Sequence, residues 1–169
     1  LLDDLTAVPT DETTFLCTDD PTETYAADRT LSFEEHDVEA LIPDADLVVY
    51  TSDSPNPALA QAVNLLTHEH GIPWTSGRVH GLDGVVGPSV LPGETACYNC
   101  YRERAYGTIR NADSYWDYER TASPPARFDA FGRIVASYLF LEVLDLLHTG
   151  FCFTFGTTLS FDFFARSVE

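Results

Sequence analysis

Cys97 and Cys100 stand three positions apart in the stretch "PGETACYNCYRER", a C-x-x-C pair. Two thiolates at that spacing can close a redox disulfide or fill two corners of a tetrahedral zinc site. Zinc needs four ligands, and the usual complement is a second C-x-x-C. The remaining cysteines, Cys17 and Cys152, are not spaced that way. Cys17 lies in an apolar run and Cys152 alternates with phenylalanines, so each reads as a small core residue. A redox pair prefers the junction of a strand with a helix N-terminus, where the dipole lowers a thiol pKa. The flanks permit this, so both chemistries stay open, with spacing favouring zinc.

The histidines offer less. His68 and His70 flank Glu69 at the end of a helical pattern. Residues two apart on a helix point to different sides, whereas a metal pair prefers i and i+4. They read as solvated residues favoured by the negative helix end. His80, between Arg78 and Asp83 in "RVHGLDG", reads as a satisfied loop histidine. There is no local Ser/His/Asp motif. No G-x-G-x-x-G follows a strand, and there is no P-loop. All nine basic residues are arginine, so no lysine is present to hold phosphate.

The 169 residues carry 27 acids against those nine arginines, a net charge of −18. Such a surface repels nucleic acid and anionic membranes. The acids are spread along the chain, the pattern of a protein from a halophilic organism whose salt screens the repulsion. Four cysteines are too few for a disulfide scaffold, and no charged and apolar signal segment opens the chain. The longest apolar stretch, 134–147, contains Ser137, Glu142 and Asp145 and is too short and polar to span a bilayer. A cytoplasmic location is expected. The chain contains no Met and starts at Leu1, which suggests a piece of a longer protein.

Around the cysteines, "TTFLCT" (13–18) predicts a short strand. "EEHDVEALIP" (34–43) predicts a short helix with Ser32 as N-cap. "ADLVVYTSD" (45–53) has the continuous apolar run of a buried parallel strand. "NPALAQAVNLLTHEHG" (56–71) predicts a helix, with Pro57 in its first turn, Gly71 past its end and a stripe of Leu59, Ala62, Val63 and Leu66. "IPWTSGRVHG" and "GVVGPSVLPG" (84–93) predict two more strands, and residues 97–106 a helix. Residues 107–126 predict a long loop. Residues 127–150 predict a long, largely buried helix ended by Gly150. Phe151, Phe153 and Phe155, then Leu159, Phe161 and Phe163, alternate with polar residues and predict two strands with one apolar face. The sum is one α/β domain over 1–169, with a mixed sheet and a C-terminal β-hairpin.

The ordered run from "DADLVVYTSD" through "NPALAQAVNLLTHEHGIP" and "GVVGPSVLPG" to "TACYNCYRER" resembles the second half of the ThiF/MoeB family of adenylating enzymes. Its form is nearest to the ThiF-like proteins that accompany YcaO cyclodehydratases in azoline and bacteriocin biosynthesis. The resemblance implies a partial Rossmann-like fold. It makes Asp53 the strand-end Asp and Asn64 the helix Asn of the family's cofactor site. Cys97 and Cys100 become half of a structural zinc knuckle, whose second C-x-x-C would follow Glu169; metal analysis of this chain is expected to find substoichiometric zinc.

The family's Gly-rich loop and Lys are missing, and so is the Arg expected between Asp53 and Asn64. No ATP site is evident. These departures fit a branch that is not itself catalytic but binds a precursor peptide and delivers it to a YcaO-type partner, fused or separate. A homodimer is compatible with this. The alternatives are the C-terminal half of a genuine ATP-dependent adenylating enzyme and a small C-x-x-C redox protein.

Overall fold

The computed structural model describes residues 12, 14–17, 29–32, 38–53, 56–111, 113–114, 117 and 128–169. Strands β1 (Thr14–Cys17) and β2 (Arg29–Ser32) pair in parallel as a two-stranded sheet. Ser32, expected as a helix N-cap, is instead a strand residue opposite Cys17. Helix α1 (Val38–Leu41) runs into a 3-10 turn, Ile42–Asp44; the expected start of that helix, residues 34–37, lies outside the described residues.

The second sheet has five strands in the order β3-β4-β5-β6-β7. They are β3 (Val48–Ser52), β4 (Trp74–His80), β5 (Asp83–Val86), β6 (Leu159–Asp162) and β7 (Ser167–Val168). β3 and β4 are parallel and every other pair is antiparallel. The mixed sheet and its C-terminal hairpin are as expected, but the hairpin is β6–β7. Among the described residues β3 ends this sheet, with Tyr50 buried on one face and Val49 packed against the core on the other, so both of its faces are covered.

Helix α2 (Pro57–His70) crosses between the parallel strands. Asn56 caps it by accepting the Leu59 N–H at 3.1 Å, and Pro57 occupies the first turn, where no N–H partner is needed. Gly71 ends it at φ 71°, a left-handed conformation that glycine takes without steric cost. The buried face is Pro57, Ala60, Val63, Asn64 and Thr67, so the expected stripe is rotated: Ala62 is exposed. Helices α3 (Tyr98–Gly107) and α4 (Asp129–Thr149) follow. Between them, the expected loop lies largely outside the described residues.

Alternation along the strands sends neighbouring side chains to opposite faces. One face packs α4: Val86, Val135, Leu139, Val143 and Phe161 form its core, with Val49 and Val79 beside them. The other packs α2 and α3: Tyr50, Ala60, Val63, Trp74, Val90 and Tyr98 form that core. Gly77 and Gly84 let α4 lie close to the sheet. A Cβ on Gly77 would stand 2.7 Å from Leu139 Cδ2, and one on Gly84 would stand 2.6 Å from Val135 Cγ2.

α4 is less buried than expected. One face is covered, but Ile134, Tyr138, Leu141 and Leu147 are each more than 40% exposed. The phenylalanine tail is the larger correction. Residues 151–155 form no strand, and Phe151 and Phe153 point outward while Cys152 and Thr154 are buried. The cause is Glu142 of α4, buried beneath the sheet, whose Oε2 accepts the Thr154 N–H at 2.9 Å and its hydroxyl at 2.5 Å. Thr154 Oγ1 is 2.7 Å from Ser89 Oγ, which donates to Thr75 Oγ1 at 2.7 Å. A polar chain thus takes the inward side of the tail. Downstream, Phe161 is buried and Asp162 exposed, as the alternation predicts.

Cys152 sits against this chain, 1% exposed. Burial pushes its thiol up to about 11 from the usual 9.0, with the Glu142 carboxyl adding to the rise against hydrogen bonds with Ser89 and Thr154. The folded protein therefore holds this proton more tightly than the unfolded chain. The resulting stability is fully present below pH 9 and is lost as pH rises through 11. A loss of about 2–3 kcal/mol is expected across that window. Thermal melts of Cys152→Ala should show a correspondingly shallower alkaline decline; an unchanged slope would remove Cys152 as its source.

Among the described residues, no helix is long and apolar enough to cross a membrane.

Candidate functional site

The carboxyl ends of β3 and β4 open onto a cavity of about 200 Å³ roofed by α3. This is the crevice where ligands sit in open α/β sheets. Residues at the ends of three strands reach it. Tyr50 and Ser52 come from β3, Arg78 and His80 from β4, and Asp83 and Val85 from β5. α3 supplies Tyr98, Tyr101, Arg102 and Tyr106.

Arg102 is 8% exposed, with its guanidinium 5.7 Å from the Tyr98 ring centre and 5.0 Å from that of Tyr106. It also donates to the Tyr106 hydroxyl at 3.2 Å. The 98, 102, 106 spacing puts these three on one helix face. Arg78 lies 5.9 Å from the Tyr101 ring centre and donates to its hydroxyl at 3.4 Å. Burial pushes the Tyr50 phenol up, partly offset by a hydrogen bond with Ser52 and by the Arg78 charge. Tyr50 is thus held as a donor, and its hydroxyl reaches the Asn56 carbonyl at 3.4 Å.

At the other end of α3, Cys97 is the N-cap residue and its sulfur is 3.6 Å from that of Cys100. Two sulfurs on a tetrahedral zinc with bonds of about 2.3 Å lie about 3.8 Å apart, so the pair fits one edge of such a site. No group of three or more metal-ligating side chains occurs among the described residues. Burial raises the Cys97 thiol, but hydrogen bonds from the Cys100 backbone and thiol, the Asn99 backbone and the Asn64 side chain outweigh it, leaving the pKa lowered.

Asn64 is buried, and its Oδ1 accepts the Tyr98 N–H at 2.9 Å. It therefore ties α2 to the cysteine turn. Asp53, half-buried, directly follows Ser52, the last residue of β3. Neither of the two positions that family resemblance assigns to a cofactor site, Asp53 and Asn64, is among the residues lining the cavity. His68 and His70 are exposed at the end of α2. His80, expected in a loop, is the last residue of β4 and lines the cavity. Sequence spacing does not single out Tyr50, Arg78 or Arg102. The i, i+4 run Tyr98–Arg102–Tyr106 was the available signal.

This arrangement, an edge-parallel sheet with a C-x-x-C helix over its crevice, agrees with a match of residues 21–166 to the ThiF family. The chain belongs to the ThiF family. Its fold is shared by solved structures of MccB. One is the microcin C7 biosynthetic enzyme MccB with N-formylated MccA, at TM-score 0.65 and 20% identity over 83% of this chain and 42% of that one. Another is Escherichia coli MccB with ATP, at TM-score 0.62 and 18% identity over 83% and 41%. A heterocyclase in complex with substrate and cofactor aligns at TM-score 0.59 and 14% identity, over 79% of this chain and 22% of its own. This ThiF-family chain thus spans about two fifths of the MccB chains it matches. No curated protein sequence matches it.

Proposed function

We propose that this ThiF-family chain binds a precursor (leader) peptide and docks it to a YcaO-type cyclodehydratase in azoline or bacteriocin-type peptide biosynthesis, without adenylating the peptide itself. The observation that carries the reading is the crevice at the carboxyl ends of β3 and β4. Its volume of about 200 Å³ is below the ~300–1,000 Å³ of ordinary small-molecule sites, and it is walled by tyrosines and arginines rather than glycines. The segment between Asp53 and Asn64, "SPNPALAQAV", holds no arginine. The similar folds of MccB, solved with N-formylated MccA, and of a heterocyclase, solved with its substrate, support a role in substrate handling of this kind.

Cys97 and Cys100 hold one edge of a structural zinc in this reading, with the remaining ligands coming from outside the described residues. Zinc there would lock the start of α3, the roof of the crevice. The acidic surface belongs to a cytoplasmic protein of a high-salt cell. The second reading, part of a genuine adenylating enzyme, draws on the likeness to MccB with ATP.

Reconstitution with a YcaO-type cyclodehydratase and its precursor peptide tests the first reading. Adding this protein should lower the KM for precursor at least about tenfold, with little change for a leaderless peptide. An equal effect on both peptides, or none, would sink the docking role.

A further inference from the structure

The turn into α3 carries a chemistry that peptide docking does not use. Cys97 is the N-cap residue and Cys100 the third residue of the helix, a spacing that brings side chains of one turn together. Their sulfurs stand 3.6 Å apart. The backbone between them is held in place. Asn64 Oδ1 accepts the Tyr98 N–H at 2.9 Å, and the Cys97 carbonyl accepts the Tyr101 N–H at 3.1 Å. The Tyr98 ring is buried and meets Trp74 edge-on. The two thiols are thus fixed relative to one another, and they are not equivalent. Cys100 is exposed, whereas Cys97 is partly shielded. A small molecule from solvent meets the Cys100 sulfur first, with the Cys97 sulfur within reach behind it. Cys152, by contrast, is 1% exposed and closed to the same reagent.

We propose that Cys97 and Cys100 form a reversible dithiol–disulfide couple that exchanges with low-molecular-weight disulfides. The Cys100 thiolate attacks one sulfur of the small disulfide, whose S–S bond breaks. A mixed disulfide forms on Cys100, and the first small thiol leaves with one proton. The Cys97 thiolate then attacks Cys100 Sγ and closes the Cys97–Cys100 bond. The second small thiol leaves with the other proton. Two electrons pass from the protein to the small disulfide, and the reverse exchange restores the dithiol. Closure brings the sulfurs from 3.6 Å to ~2.0 Å, a shift of about 1.5 Å that falls to the exposed Cys100 side chain.

The disulfide and the zinc edge draw on the same two thiolates, so each excludes the other. The surrounding thiol pool then decides whether the start of α3 can take a metal.

The test equilibrates the purified protein in buffers of 2-mercaptoethanol and bis(2-hydroxyethyl) disulfide, with a chelator keeping both thiols free of metal. Remaining thiols are alkylated, and each cysteine is assigned by peptide mass spectrometry. The expected product is a Cys97–Cys100 disulfide that forms in one two-electron transition and is fully reversed by added thiol. Cys152 should be alkylated only after unfolding. Closure is impossible in the single variants, so the mixed disulfide should accumulate there. It should form on Cys100 in C97S, and at least about tenfold more slowly on Cys97 in C100S. Two free thiols at every buffer ratio, or a mixed disulfide persisting on Cys100 of the parent protein, overturns the couple. Equal rates in C97S and C100S overturn Cys100 as the entry sulfur. Precursor docking is read by the reconstitution above and stands or falls separately.

Discussion

Replacing Glu142 with alanine is expected to lower the melting temperature by about 10 °C. Glu142 Oε2 accepts both the backbone N–H and the hydroxyl of Thr154, and both residues are buried. Alanine leaves two buried donors without that acceptor, at about 1–3 kcal/mol each, and opens a void on α4. The sum is about 3–5 kcal/mol, and a chain of this size loses about 2–4 °C per kcal/mol. Glu142→Gln keeps an amide oxygen in reach and should lose less than half as much. The hydroxyls of Thr154, Ser89 and Thr75 continue from Glu142 into β4, so the damage reaches the strand that carries Arg78. A Glu142→Ala melt within about 3 °C of the parent would show that the network contributes little.

Trp74 should divide into two outcomes. It is fully buried in β4, its backbone pairs with Val90 in both directions, and its ring meets Tyr98 edge-on at 5.9 Å. Trp74→Ala removes the largest buried side chain beneath the crevice, at about 3–5 kcal/mol. It also withdraws support from Tyr98, against which Arg102 stacks in the crevice, so peptide affinity should fall with stability. Trp74→Phe keeps most of the packing. The indole N–H makes no hydrogen bond among the described residues, so phenylalanine removes a buried donor that gained nothing from folding. Its cost should be under about 1.5 kcal/mol. Melts of both variants, with peptide affinity measured alongside, check the pair. Equal losses would mean that the indole N–H contributes through a partner and that ring packing alone is not the reason for a tryptophan here.

These residues also show what the sequence could and could not disclose. Local chemistry was legible. Pro57 and Gly71 bounded α2, Gly150 ended α4, and the C-x-x-C marked the turn into α3. Faces were less so, because hydrophobicity ranks side chains without knowing their partners. Asn64 and Thr67 are buried on α2 because one accepts the Tyr98 N–H and the other donates to the Val63 carbonyl at 2.8 Å. The tail alternates as expected but inverts over 151–155, since Glu142, on a different element, draws Thr154 inward. β2, with its ordinary "RTLS", carried no strand signal; its pairing with β1 supplies it. The crevice was hidden for the same reason. Tyr50, Arg78 and Arg102 are 28 and 24 positions apart along the chain, and only the parallel register of β3 and β4, with α3 folded over it, assembles them.

The central claim is that this ThiF-family chain handles a peptide without adenylating it. ATP–pyrophosphate exchange in the purified protein with saturating precursor peptide tests it most directly, with peptide binding confirmed in the same sample. The account predicts bound peptide and exchange at the level of the peptide-free control. Precursor-dependent exchange above that control would contradict it and establish adenylate chemistry.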